Sequence, residues 1–156
     1  MRTYFHFRAV AAAVLASVVF GGCSTTTSTY SYEPRVDFKE FKTYQWAEPR
    51  QSFGQDSLTE ANVRFVADRE LAAKGLALKA DKADLLIWSG GEFDGGSYSY
   101  SYSSPYELRR LTLNISRVDN RQLVWRGTAA GPIRTDAASG DLKKAVEGML
   151  VNFPPK

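Results

Sequence analysis

The sequence predicts an α+β fold: a mainly antiparallel sheet in the order β-α-β-β-β-α, two helices packed on one face, and a signal peptide and polar tether in front. Three observations carry this. Apolar residues fall at helical spacing around Val63 to Leu71 and again from Leu142 to Phe153. Between the two stretches lie short runs of aliphatic and β-branched residues bounded by Gly, Asp and Asn. The chain also opens on basic, then apolar, then small residues, the order of an export signal.

In that signal Arg2 and Arg8 stand without an acid, followed by a twelve-residue apolar run from Ala9 to Phe20. Crossing a bilayer as a helix takes about 20 residues, so this run is too short to stay as an anchor. Phe20-Gly21-Gly22-Cys23 resembles a bacterial lipobox, with Phe20 where that pattern prefers an aliphatic residue. The expectation is a signal peptide over 1–22 and lipid on Cys23; the competing reading is an ordinary signal whose cleavage happens to leave a cysteine. Cys23 is the chain's only cysteine, and an unpaired thiol has no clear use in an oxidising compartment. Each acyl chain contributes about 0.8 kcal/mol per buried CH₂, so several together make release rare.

Residues 23–34 read as the lipidated cysteine and a flexible tether, because Ser24 to Pro34 offers nothing to build a core. Such a tether would span on the order of 18 Å. Residues 35–156 then form one domain, large enough for a core without disulfides.

The domain's elements follow in order. Phe41 to Trp46 is a first strand. Ser57-Leu58-Thr59-Glu60 has the form of a capping box and starts a helix. Val63, Val66, Ala67 and Leu71 give its buried stripe, and Lys74-Gly75-Leu76 its stop. Asp84 to Phe93 is a strand apolar on both faces. From Arg109 to Val118, Leu111, Leu113 and Ile115 alternate with polar residues, so one face is buried and the other wet. Leu123, Trp125, Gly127 and Ala129 form the matching face of the next strand. Facing the two apolar rows together takes an odd loop, Asp119-Asn120-Arg121. The last helix carries Leu142, Ala145, Val146, Met149, Leu150 and Phe153, and Pro154-Pro155 end it.

Charge and composition exclude several functions. The chain has 20 Lys and Arg against 17 Asp and Glu, but Arg2 and Arg8 leave with the signal, so 18 face 17. No general attraction to nucleic acid is expected. The only histidine, His6, is also in the signal. A mature chain with no histidine and a blocked thiol lacks Ser-His and Cys-His pairs and the usual zinc ligands, so neither a metal nor a cofactor is expected.

The most unusual segment is Gly95 to Tyr106. If extended, Tyr98, Tyr100 and Tyr102 point one way and the serines the other. With Tyr106 they are candidate binding residues, since tyrosine gives broad contact area with a polar tip at little rotamer cost; a low-complexity loop is the plainer alternative. Glu92 and Asp94, roughly 7 Å apart on one strand face, could be a carboxylate pair for a glycan hydrolase, and two solvated acids are the plainer reading. Trp46, Trp88 and Trp125 read as core or half-buried strand residues rather than a ligand box.

Several pieces together resemble the bacterial lipoprotein family called domain of unknown function 4136 (DUF4136). They are Val36-Asp37-Phe38-Lys39-Glu40-Phe41-Lys42-Thr43-Tyr44-Gln45-Trp46, Leu71-Ala72-Ala73-Lys74-Gly75-Leu76, Ala83-Asp84-Leu85-Leu86-Ile87, Leu123-Val124-Trp125-Arg126-Gly127-Thr128-Ala129, and the close at Phe153-Pro154-Pro155. The resemblance implies a lipoprotein of Gram-negative envelopes with no assigned activity. The expectation is therefore a non-enzymatic binding or structural module held on the periplasmic face of the outer membrane by lipid on Cys23. Ser24 stands where an Asp would signal inner-membrane retention in enteric-type bacteria. Its partner would be an envelope protein or glycan, and the alternative is an acid-residue glycan hydrolase.

Overall fold

The computed structural model describes residues 25–48, 57–93, 107–136 and 140–155. They form strands β1 (Thr27–Tyr32), β2 (Thr43–Trp46), β3 (Ala77–Leu78), β4 (Leu85–Phe93), β5 (Glu107–Arg117) and β6 (Leu123–Arg134), with helices α1 (Ser57–Ala73) and α2 (Asp141–Leu150). One sheet runs in the order β1-β6-β5-β4-β2-β3. Both helices pack over the sheet face that carries Leu85, Ile87, Leu111, Leu113, Ile115, Trp125 and Ala129, all buried in one core.

The expected α+β architecture is present, in a mixed sheet. β1, β6, β5 and β4 pair antiparallel, whereas β2 runs parallel to both β3 and β4. The cause is α1: a helix leaving β2 crosses the sheet and returns the chain in the same direction, and parallel neighbours need such a crossover. The helix stops as its sequence dictates. Leu76 N–H donates to Leu71 C=O and Gly75 N–H to Ala72 C=O, with Gly75 at φ 86°, the paired bonds of a glycine C-cap.

Several expectations are corrected. Residues 27–32, read as tether, are β1, paired along its length with β6 from Thr27↔Ala130 to Tyr32↔Trp125. An edge strand is bonded on one side only and needs no aliphatic row, so alternating Thr, Ser and Tyr suffice. The domain therefore begins near Thr25, not Arg35. The second correction concerns β5, whose polar row is not wet throughout: Asn114 and Ser116 are buried, and Asn114 Oδ1 accepts a 2.8 Å bond from Arg126 Nε.

The β5–β6 hairpin keeps the expected facing by another route. Arg117 N–H donates to Gln122 C=O, which closes a loop of four residues, Val118 to Arg121, rather than three. An even loop alone would turn the apolar rows to opposite faces. A bulge restores them: Ser116 pairs with Leu123 but Ile115 pairs with Trp125, leaving Val124 as the extra residue. From there to Leu111↔Ala129 the two rows match.

α2 lies close on the sheet because two glycines allow it. A Cβ on Gly127 would come 2.7 Å from Met149 Cβ, and one on Gly148 would come 2.6 Å from Ser28 Oγ. The expected helical stripe is buried up to Leu150; Phe153 is buried too, but beyond the helix, with its N–H bonded to Leu150 C=O.

Candidate binding surface

Cys23, Asp94, Tyr98, Tyr100, Tyr102 and Tyr106 lie outside the described residues. Glu92 lies within them, near the end of β4, directly across from Arg110, with 3.6 Å between carboxylate and guanidinium. Both side chains are more than half exposed, so this is a solvated surface ion pair. Among the described residues no group of His, Cys, Asp and Glu could hold a metal.

The feature that sequence reasoning missed is on β1. Ser28, Tyr30 and Tyr32 share the helix-side face, opposite Ala129, Gly127 and Trp125. Met149 fills the space over Gly127, and the Tyr30 ring lies instead on Trp125, with centroids 4.7 Å apart and planes 7° from parallel. Tyr32 stands 6.0 Å from Trp125 and 6.4 Å from Tyr30. Beneath them the fully buried Trp125 meets Phe153 edge-on at 5.3 Å, and Phe38 bridges Phe153 and Tyr32 at 5.9 and 6.2 Å. The inner faces of the two tyrosines are thus fixed by the core, while each side chain stays over 40% exposed (43% and 42%). β1 is also the outermost strand, with no described strand on its other side. The signal was present in the sequence as Tyr30-Ser31-Tyr32, two aromatics one strand repeat apart.

A second polar constellation serves the fold. Tyr44 Oη and Trp46 Nε1 both donate to Asp68 Oδ1, at 2.7 and 2.8 Å. The Arg64 guanidinium sits 5.0 Å over the Trp46 ring and bonds to Glu60 and to Ala47 C=O. Burial, and then the Asp68 carboxylate, push the Tyr44 hydroxyl well above its ordinary pKa. That group holds its proton at any physiological pH and ties β2 to α1; it is no proton donor for chemistry.

A cleft of about 370 Å³ opens where β1 begins, lined by Thr25, Thr26, Ser28, Glu107, Pro132, Arg134, Asp141 and Lys144. Arg134 Nε lies 3.4 Å from Asp141 and 3.8 Å from Asp136, so the cleft is polar and of mixed charge.

Fold and surface define an α+β module whose prominent exposed feature is an aromatic edge. The chain belongs to the family described as Domain of unknown function (DUF4136), whose model matches residues 28–155. No curated protein matches the sequence. Among solved structures, a PDZ domain protein from Parabacteroides distasonis is similar at 18% identity and TM-score 0.61, over 85% of this chain and only 37% of that longer one. A PelC dodecamer from Paraburkholderia phytofirmans is similar at 14% identity and TM-score 0.55, covering 81% of this chain and 95% of that one. A DUF4136 family protein from Bacteroides thetaiotaomicron is similar at 15% identity and TM-score 0.53, covering 82% and 94%. At these identities the likeness is one of fold.

Proposed function

We propose that this chain is a non-enzymatic binding module of the bacterial envelope, lipidated on Cys23, anchored in the outer membrane and facing the periplasm, and that it takes a glycan chain on the Tyr30–Tyr32 edge. The observation that carries the binding role is the parallel stacking of half-exposed Tyr30 on buried Trp125. A ring already immobilised by the core loses little freedom when a partner covers its outer face. Two such rings along an edge strand offer flat apolar area with hydroxyl tips, which suits the C–H faces and hydroxyl rims of successive sugars. Glu92 is paired with Arg110, and nothing favours hydrolysis there.

Affinity electrophoresis through gels containing extracted envelope polysaccharide tests this. The wild-type domain is retarded, and a Tyr30→Ser/Tyr32→Ser variant with unchanged near-ultraviolet circular dichroism is not. Equal mobility of the two would remove the strip as a glycan site.

A further inference from the structure

We infer that the end of the sheet formed by Thr25, Thr26, Pro132 and Arg134, with Lys144 of α2, is a docking surface for the phospholipid headgroups of the membrane that carries the anchor. This rests on the lipidation of Cys23 proposed above. The decisive quantity is the length of free chain. Thr25 and Thr26 are already seated on the domain: a Cβ on Gly131 would lie 3.1 Å from Thr25 C=O, and Thr26 Oγ1 donates to Pro132 C=O at 3.2 Å. Only Ser24 separates Thr25 from Cys23. Two residue steps reach at most about 7 Å, which is on the order of the thickness of one headgroup layer. A tether of that length does not lift the domain clear of the lipid; it presses this end against it.

The chemistry of that end agrees. Lys144 is exposed and lines the cleft that opens there, a cation for lipid phosphates, while Arg134, half-exposed and ion-paired with Asp141 at 3.4 Å, and Glu107 give the same cleft the mixed charge of a zwitterionic headgroup layer. The β5–β6 turn lies at the opposite end, because β5 runs eleven residues from Glu107 to Arg117, about 34 Å at 3.4 Å per residue. Tyr30 lies partway along β1 and Tyr32 ends it, on the side toward that far end, and the strip therefore stands above the headgroups, open to the periplasm.

The test uses the full lipidated protein with one fluorophore, on Lys144→Cys or on Gln122→Cys, in vesicles of phosphatidylethanolamine and phosphatidylglycerol that contain a nitroxide-headgroup lipid. The expected result is strong loss of fluorescence at position 144 and none at position 122. Equal quenching at both positions, or stronger quenching at 122, in protein that carries a palmitate label overturns the orientation alone. Absence of the label on Cys23 overturns the anchoring reading and this inference with it. Inserting a long Gly-Ser segment after Ser24 should abolish the difference between the two positions; a difference that persists would show that tether length is not its cause.

Discussion

Tyr30 lies flat on Trp125, 4.7 Å between ring centroids, and through that contact a segment with no aliphatic side chain becomes part of the domain. The contact orders the outermost strand, covers a tryptophan that would otherwise face water, and leaves a tyrosine face exposed.

A chain starting at Thr25 should be markedly more stable than one starting at Arg35, although composition alone makes residues 23–34 look dispensable. Removing β1 uncovers Trp125 and the β6 edge. Exposing one large aromatic costs at least about 2 kcal/mol, or roughly 6 to 10 °C in melting temperature for a domain of this size. Scanning calorimetry of the two chains checks it, and equal midpoints would return β1 to the status of a tether.

Gly148 gives a prediction whose sign is diagnostic. In an unconstrained helix Gly→Ala gains about 1 kcal/mol, but here the new Cβ would meet Ser28 Oγ at 2.6 Å. Gly148→Ala should therefore destabilise, by about 1 to 3 kcal/mol as for other overpacked sites. Adding Ser28→Gly should recover much of the loss. Urea denaturation of the two single variants and the double variant gives the coupling directly; a Gly148→Ala variant more stable than wild type would mean that α2 does not lie against β1.

Legibility in the sequence tracked burial. Both helices and strands β5 and β6 announce themselves through periodic apolar faces, and β4 through its continuous apolar run Leu85 to Trp88. β1 does not, because a strand paired on one edge gains its place from main-chain bonds and two ring contacts with residues nearly a hundred positions away. β3 is two residues long, too short for any period. The hairpin loop length is not legible in the sequence, because Val124 is an extra residue that only the paired strand reveals. Asp68 was silent for a similar reason: Tyr44 and Trp46 select it across the β2–α1 gap. The aromatic tract at Tyr98 to Tyr106 drew attention by composition, whereas Tyr30 and Tyr32 needed the position of Trp125 to stand out.

Asp84 sets a pH dependence. Its Oδ2 accepts from Lys42 N–H, Thr43 N–H and Thr43 Oγ1, at 2.9, 2.9 and 2.8 Å, joining the chain before β4 to the start of β2. The Lys42 amide has the largest effect and lowers its carboxyl; partial burial, next in size, opposes it, and the Thr43 hydroxyl and amide and the Lys79 charge add to the lowering, so that the carboxyl is held below the usual range. A carboxyl lowered in the folded state adds stability above its unfolded pKa of about 3.9, and that stability is lost as pH falls through the folded value. Asp84→Asn should accordingly be less stable than wild type at pH 7, with the gap closing below about pH 4. Thermal midpoints across that range check it, and a gap that stays constant from neutral to strongly acidic pH would contradict the assignment.

The most direct measurement on the central claim is site-specific photocrosslinking in the native envelope, with the photoreactive residue at position 30 or 32 and, as control, at position 65. Phe65 is 70% exposed on α1, more than either tyrosine, so exposure alone favours the control. The binding edge proposed here predicts a discrete glycan adduct from positions 30 and 32 and none from 65. Adducts of equal yield at all three positions, or none at 30 and 32, would contradict it.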